Sequence, residues 1–172
     1  MPLRRTLALA TCVLAVCAPA LTSCGFDYAT DRIYTPAAGV NNRDSTVDVL
    51  GAVIVSAQDN SGTFIASFAN NSSTEPATVE SLEGVDQAQL TADNFSTIEV
   101  PAGGLVNLAE EEGVPVSGEF SAGEFVPVTI EFGSGDPIEM DVPVVTNCGD
   151  FEGLDGPSSP EQCEAETPPA EH

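Results

Sequence analysis

The chain contains no tryptophan and no lysine. It has only four basic residues, one histidine and two methionines among 172 residues. Each scarcity excludes a class of chemistry. A serine hydrolase triad needs a histidine inside the fold as its base; here the one histidine is His172, the last residue. Without tryptophan there is little of the flat aromatic surface on which sugars stack. No glycine-rich phosphate loop with an adjacent lysine occurs. Against four basic residues stand 27 acidic ones, a formal charge of −23. Such a surface repels nucleic-acid phosphates and anionic lipid headgroups alike, so no nucleic-acid partner is expected. The acidity suits a solvated surface at the cell envelope.

The first residues carry the clearest signal. Arg4 and Arg5 precede an apolar run from Leu7 to Leu21, which is short for a membrane span of about 20 residues. Leu21-Thr22-Ser23-Cys24 then supplies a leucine, two small residues and a cysteine, the arrangement of a bacterial lipoprotein processing site. Ala18-Pro19-Ala20 offers an ordinary small-x-small cleavage site as the alternative. The spacing predicts a signal peptide over residues 1–23 and lipidation at Cys24. That places the protein at the membrane, held by acyl chains and facing the extracytoplasmic side. Two chains anchor a domain firmly, since each buried CH₂ contributes about 0.8 kcal/mol. After cleavage Arg32 and Arg43 remain against 27 acids, a charge of about −25.

Of five cysteines, Cys12 and Cys17 leave with the leader and Cys24 takes the lipid. Cys148 and Cys163 remain and predict a disulfide. It would close a loop containing Gly149, Gly153, Gly156, Pro157 and Pro160.

Residues 24–46 read as a lipidated tether, although Phe26, Tyr28 and Tyr34 are candidates to dock on the domain. Residues 148–172 read as an acidic, Pro- and Gly-rich tail, disordered apart from the cysteine staple. Residues 47–147 alternate strand and turn signals. Val47–Ala57 is apolar on both faces, with Val47, Val49, Val53 and Val55 set against Leu50, Ala52 and Ile54, and a bulge at Gly51. Thr63–Ala69 puts Phe64, Ala66 and Phe68 on one face and Ile65 on the other. Shorter strands are expected near 77–82, 96–100, 105–108 and 114–117. Phe125–Phe132 and Ile138–Val145 alternate, with Met140 inward and Pro127 and Pro143 outward. Only 84–94 and 108–112 have room for a helical turn. The pattern predicts an all-β fold, an antiparallel two-sheet β-sandwich of Greek-key, immunoglobulin-like type.

Two phrases, Ile98-Glu99-Val100-Pro101-Ala102-Gly103-Gly104-Leu105-Val106-Asn107-Leu108 and Gly123-Glu124-Phe125-Val126-Pro127-Val128-Thr129-Ile130-Glu131-Phe132, together with Gly62–Ser72 and Met140–Val144, carry a resemblance. The stretch 62–145 resembles the periplasmic copper(I) chaperone family of PCu(A)C type, and actinobacterial lipoproteins of the LpqE type are similar to it. The resemblance implies a cupredoxin-like sandwich that holds Cu(I) through His and Met. Family members place a His-x-Met pair shortly after the Pro-Ala-Gly-Gly strand. The corresponding region here is Glu111-Glu112-Gly113-Val114-Pro115-Val116. The other ligands would fall near Val85-Asp86-Gln87-Ala88-Gln89-Leu90. Neither stretch has a soft donor of the kind Cu(I) selects. The expectation is therefore a non-enzymatic binding or accessory protein with no cofactor and an envelope protein as partner. The alternative is a hard cation such as Ca²⁺ held by Glu110, Glu111 and Glu112 with Asp86, Glu119 or Glu124.

Overall fold

The computed structural model describes residues 38–85, 90–135, 137–157 and 163. The expectations for residues 1–37, among them Cys24, and for Asp86 and His172, lie outside the described residues.

Among the described residues ten strands form: β1 (Val40–Asn42), β2 (Val47–Gln58), β3 (Ser61–Asn70), β4 (Ala77–Gly84), β5 (Thr91–Ala92), β6 (Ile98–Val100), β7 (Leu105–Asn107), β8 (Val114–Ser117), β9 (Phe125–Phe132) and β10 (Ile138–Thr146). Two single 3₁₀ turns, Leu108–Glu110 and Gly149–Phe151, are the described helical segments. The hydrogen-bonded order is β1-β2-β10-β9-β4-β5-β8-β3-β7, with β6 beside β4. β2 also pairs with β3, so the ladder returns on itself. The fold is a β-sandwich whose two walls join into a barrel-like closure. Every pairing is antiparallel except β2 with β10, which runs parallel from Ile54↔Val144 to Ser56↔Thr146.

Burial explains these elements. β9 buries Val126, Val128, Ile130 and Phe132, and β10 buries Ile138, Val142 and Val144. Met140 is partly buried against the same core. Phe68 of β3 meets Phe132 of β9 across the interior, edge to face, with centroids 6.3 Å apart. Aromatic pairs favour this offset because the positive ring edge meets a negative face.

Strict alternation fails in β2. Val47 and Val49 share the main core with Ala52 and Ile54, whereas Val53 and Val55 lie in a separate outer cluster with Ile65. The cause is the expected irregularity at Gly51. Its φ is +62°, and the register with β3 shifts between Leu50 and Val53. One extra residue moves every later side chain to the opposite face. The domain also begins earlier than residue 47, because β1 pairs with β2 through Val40↔Ala52.

Candidate functional site

Two places gather polar side chains with defined geometry. The first is the connection from β7 to β8. Asn107 ends β7 in an extended conformation and caps the 3₁₀ turn: its Oδ1 accepts from the Ala109 amide at 3.2 Å. Its Nδ2 donates to Glu110 Oε1 at 3.0 Å. The amides of Glu111 and Gly113 both donate to the Leu108 carbonyl, at 3.1 and 2.9 Å. Glu112 and Gly113 are both left-handed, with φ of 75° and 67°. This reverses the chain into β8 and leaves the carboxylates of Glu110, Glu111 and Glu112 exposed.

Glu119 does not join them. It lies past the other end of β8, beside the β2–β3 turn, where Gly118 and Phe120 bond to Asn60. A four-residue strand at about 3.3 Å per residue stands between the two groups. Among the described residues no three His, Cys, Asp or Glu side chains converge as a metal site. Glu124 is engaged elsewhere, accepting from the Ser121 amide at 2.7 Å.

The segments that the copper resemblance singles out take the following places. Val114 and Val116 face the core, Pro115 is exposed, and Glu111 and Glu112 are in solvent. Nearer the Pro101–Gly104 turn, the inward positions are Val106 and Leu108, both buried and apolar. Of the second segment, Leu90 is buried and Val85 exposed, while 86–89 lie outside the described residues. An open groove of about 430 Å³ lies where β4 changes neighbours from β6 to β5. Glu80, Ser81, Glu83 and Thr91 line it beside Leu82 and Phe95, with no imidazole or ammonium group.

The second place is the C-terminal segment, expected to be disordered but folded from Asn147 through Pro157. Cys148 and Cys163 are bonded, with Cα atoms 5.5 Å apart. Asn147, 2% exposed, organises the loop. Its Oδ1 accepts from the Gly153 amide at 2.9 Å, and its Nδ2 donates to the Gly156 carbonyl at 3.0 Å. Asp155 then clamps the loop to the barrel. One carboxylate oxygen accepts from the Ala57 amide at 2.7 Å and the other from the Thr63 hydroxyl at 2.8 Å. Phe151 and Leu154 pack on Val53, Val55 and Ile65, joined by Ala109 and Val145. The segment is thus a cross-linked strap over apolar side chains that the Gly51 bulge turned outward. The cysteine pair was legible in the sequence; Asn147 and Asp155 carried no local signal, because their partners lie on distant strands.

No family model and no curated protein matches the chain. Solved structures do. The copper-bound PCuAC domain from PmoF2 aligns with a TM-score of 0.50 at 12% identity, over 62% of this chain and 98% of that one. The apo PmoF2 PCuAC domain aligns with the same score and identity, over 64% and 98%. Apo-DR1885 from Deinococcus radiodurans aligns at 0.43 and 16% identity, over 66% and 88%. At 12% identity the PmoF2 likeness is one of fold: the class is a PCuAC-like, cupredoxin-type β-sandwich.

Proposed function

We propose that this chain is a non-enzymatic accessory lipoprotein of the cell envelope, of the actinobacterial LpqE type. It is built on the PCuAC fold and does not carry copper. The observation that carries this reading is the donor set. One structural relative, the PmoF2 PCuAC domain, is copper-bound, and Cu(I) is held by thioether, thiolate or imidazole groups. Here the positions after the Pro101–Gly104 turn include apolar core residues (Val106, Leu108, Val114, Val116) and exposed carboxylates, and none of residues 105–117 is His, Met or Cys. Met140 packs against the core on the opposite wall. The two remaining cysteines are in a disulfide. The described residues do not fit Cu(I). A carboxylate cation site has less support, since β8 holds Glu119 away from Glu110–Glu112.

The anchoring half of the proposal rests on Leu21-Thr22-Ser23-Cys24. Lipid chains at Cys24 would hold the domain on the outer side of the membrane, where oxidising conditions suit the Cys148–Cys163 bond.

Both halves are tested on the full-length protein. Held in neutral nanodiscs and competed against a chromogenic Cu(I) chelator, it should leave the copper with the chelator. Retention of one equivalent with micromolar or tighter affinity overturns the copper-free reading. Cys24→Ala should move the protein from the membrane to the soluble fraction; continued membrane retention refutes the lipid anchor.

A further inference from the structure

Among the described residues the barrel shows two outward-facing apolar patches, and described residues cover only one of them. The strap shields Val53, Val55 and Ile65 with Phe151 and Leu154. The bare patch lies on the β4–β9–β10 wall. Phe125 is 65% exposed and Val85 57%. Register makes these residues neighbours. Pro143 of β10 stands opposite Phe125 of β9. The Val85 amide donates to the Pro127 carbonyl at 3.1 Å. The residues next to them along each strand (Gly84, Val126, Val142 and Val144) are buried, so Val85, Phe125, Pro127 and Pro143 all point outward. They form one apolar surface across three adjacent strands.

The rim of that surface has a single sign. Asp141 is the register partner of Pro127, and Glu83 and Glu139 both flank Thr129. All three carboxylates are exposed. Among the described residues the only basic side chain is Arg43. The geometry points to this patch as the docking face for a protein partner that offers an apolar side chain ringed by lysine or arginine. This rests on the accessory-protein reading above and gives that partner its chemistry. An apolar centre inside a polar, charge-complementary rim is the general anatomy of a protein interface. The charges also disfavour the other occupants. A second copy related by twofold symmetry would set these carboxylates against their own counterparts. An anionic membrane surface would repel them.

The test uses the full-length lipidated protein in neutral phosphatidylcholine nanodiscs and a fluorescent peptide alternating lysine with leucine. Fluorescence anisotropy should show salt-sensitive binding. Phe125→Ser and Val85→Ser should each weaken it by about tenfold. Leu105→Ser, which alters an equally exposed apolar residue on β7 (58% exposed), should leave it unchanged. A peptide alternating lysine with serine should bind more weakly and be indifferent to Phe125. An unchanged melting transition in each variant shows that the surface, and not the fold, was altered. Several outcomes overturn the proposal: no binding; equal binding by every variant; a dimer that Phe125→Ser dissolves; or binding that strengthens when residues 25–37 are deleted, which assigns the patch to the chain's own N-terminal segment. Copper retention and membrane fractionation are read separately, so failure here leaves the accessory-protein reading standing or falling on its own tests.

Discussion

Replacing Asp155 by alanine tests whether the strap is an integral part of the domain. The carboxylate makes two short bonds, to the Ala57 amide at 2.7 Å and the Thr63 hydroxyl at 2.8 Å. Thr63 is 7% exposed, so its hydroxyl loses an acceptor at a place water reaches poorly. A hydrogen bond to a charged group contributes about 1.5–3 kcal/mol, and Asp155 is only half-buried, which lowers the sum of two. The expected cost is about 2 kcal/mol. For a domain of this size that lowers Tm by roughly 6–10 °C. Asp155→Asn keeps one acceptor oxygen and should cost about half as much. The disulfide supplies an internal check. Its 15-residue separation corresponds to about 3 kcal/mol in the chain-entropy model. Replacing Cys148 and Cys163 together by serine should cost about that much. If Asp155 and the disulfide hold one element, the combined variant should lose measurably less than the two losses added. Urea unfolding followed by circular dichroism reads the four variants against the wild type. A loss below about 0.5 kcal/mol for Asp155→Ala, or full additivity in the combined variant, refutes the claim that the strap is clamped to β2 and β3.

Gly113→Ala should destabilise by more than about 2 kcal/mol, because the new Cβ would collide with Thr63 Cγ2 at a φ of +67°. Gly51→Ala, at φ +62° in open space, should cost only about 1 kcal/mol, and denaturant melts of the pair separate strain from clash. Phe68→Ala should cost about 3–5 kcal/mol, since it empties a fully buried site against Phe132; a loss under 2 kcal/mol in urea contradicts the packing described. Asn70→Ala should cost about 2 kcal/mol: this residue is 4% exposed and its amide group donates to the Glu75 and Val100 carbonyls.

Most of the strand framework was legible because burial on two sides of a sheet writes a period of two into the sequence. Val114–Ser117 and Phe125–Phe132 were located with correct ends on that signal alone. Thr63–Ala69 was divided correctly between faces, with Phe64, Ala66 and Phe68 in the main core and Ile65 in the outer cluster. In β2 Gly51 marks the bulge in the sequence, but which face the later valines take follows from the register with β3, which no local pattern encodes. β5 is only two residues long, Thr91–Ala92, and too short to show any period. The parallel pairing of β2 with β10 joins residues about 90 apart, and no local pattern encodes such a contact. The strap escaped for a related reason. Its composition is that of a disordered tail, and what orders it is Asn147, Asp155 and two apolar side chains meeting distant strands.

The strap and the bulge belong to one physical problem. A bulge at Gly51 turns Val53 and Val55 away from the main core, and Ile65 faces outward beside them. Left bare, these would make a second exposed apolar patch and an invitation to non-specific association. The chain covers it with Phe151 and Leu154, fixed by a disulfide and by Asp155. Nothing comparable covers Phe125 and Val85 among the described residues. A fold alone does not determine function; side chains that the fold leaves uncovered are where it has to be sought. The described interior is filled by valine, isoleucine, leucine, phenylalanine and alanine, so the docking proposed above lies on the outside. On a surface of nearly uniform negative charge, an uncovered aromatic is the feature that distinguishes one face from the rest. In the docking proposed above, charge would bring a basic partner from any direction, and Phe125 with its neighbours would select the face on which it stays.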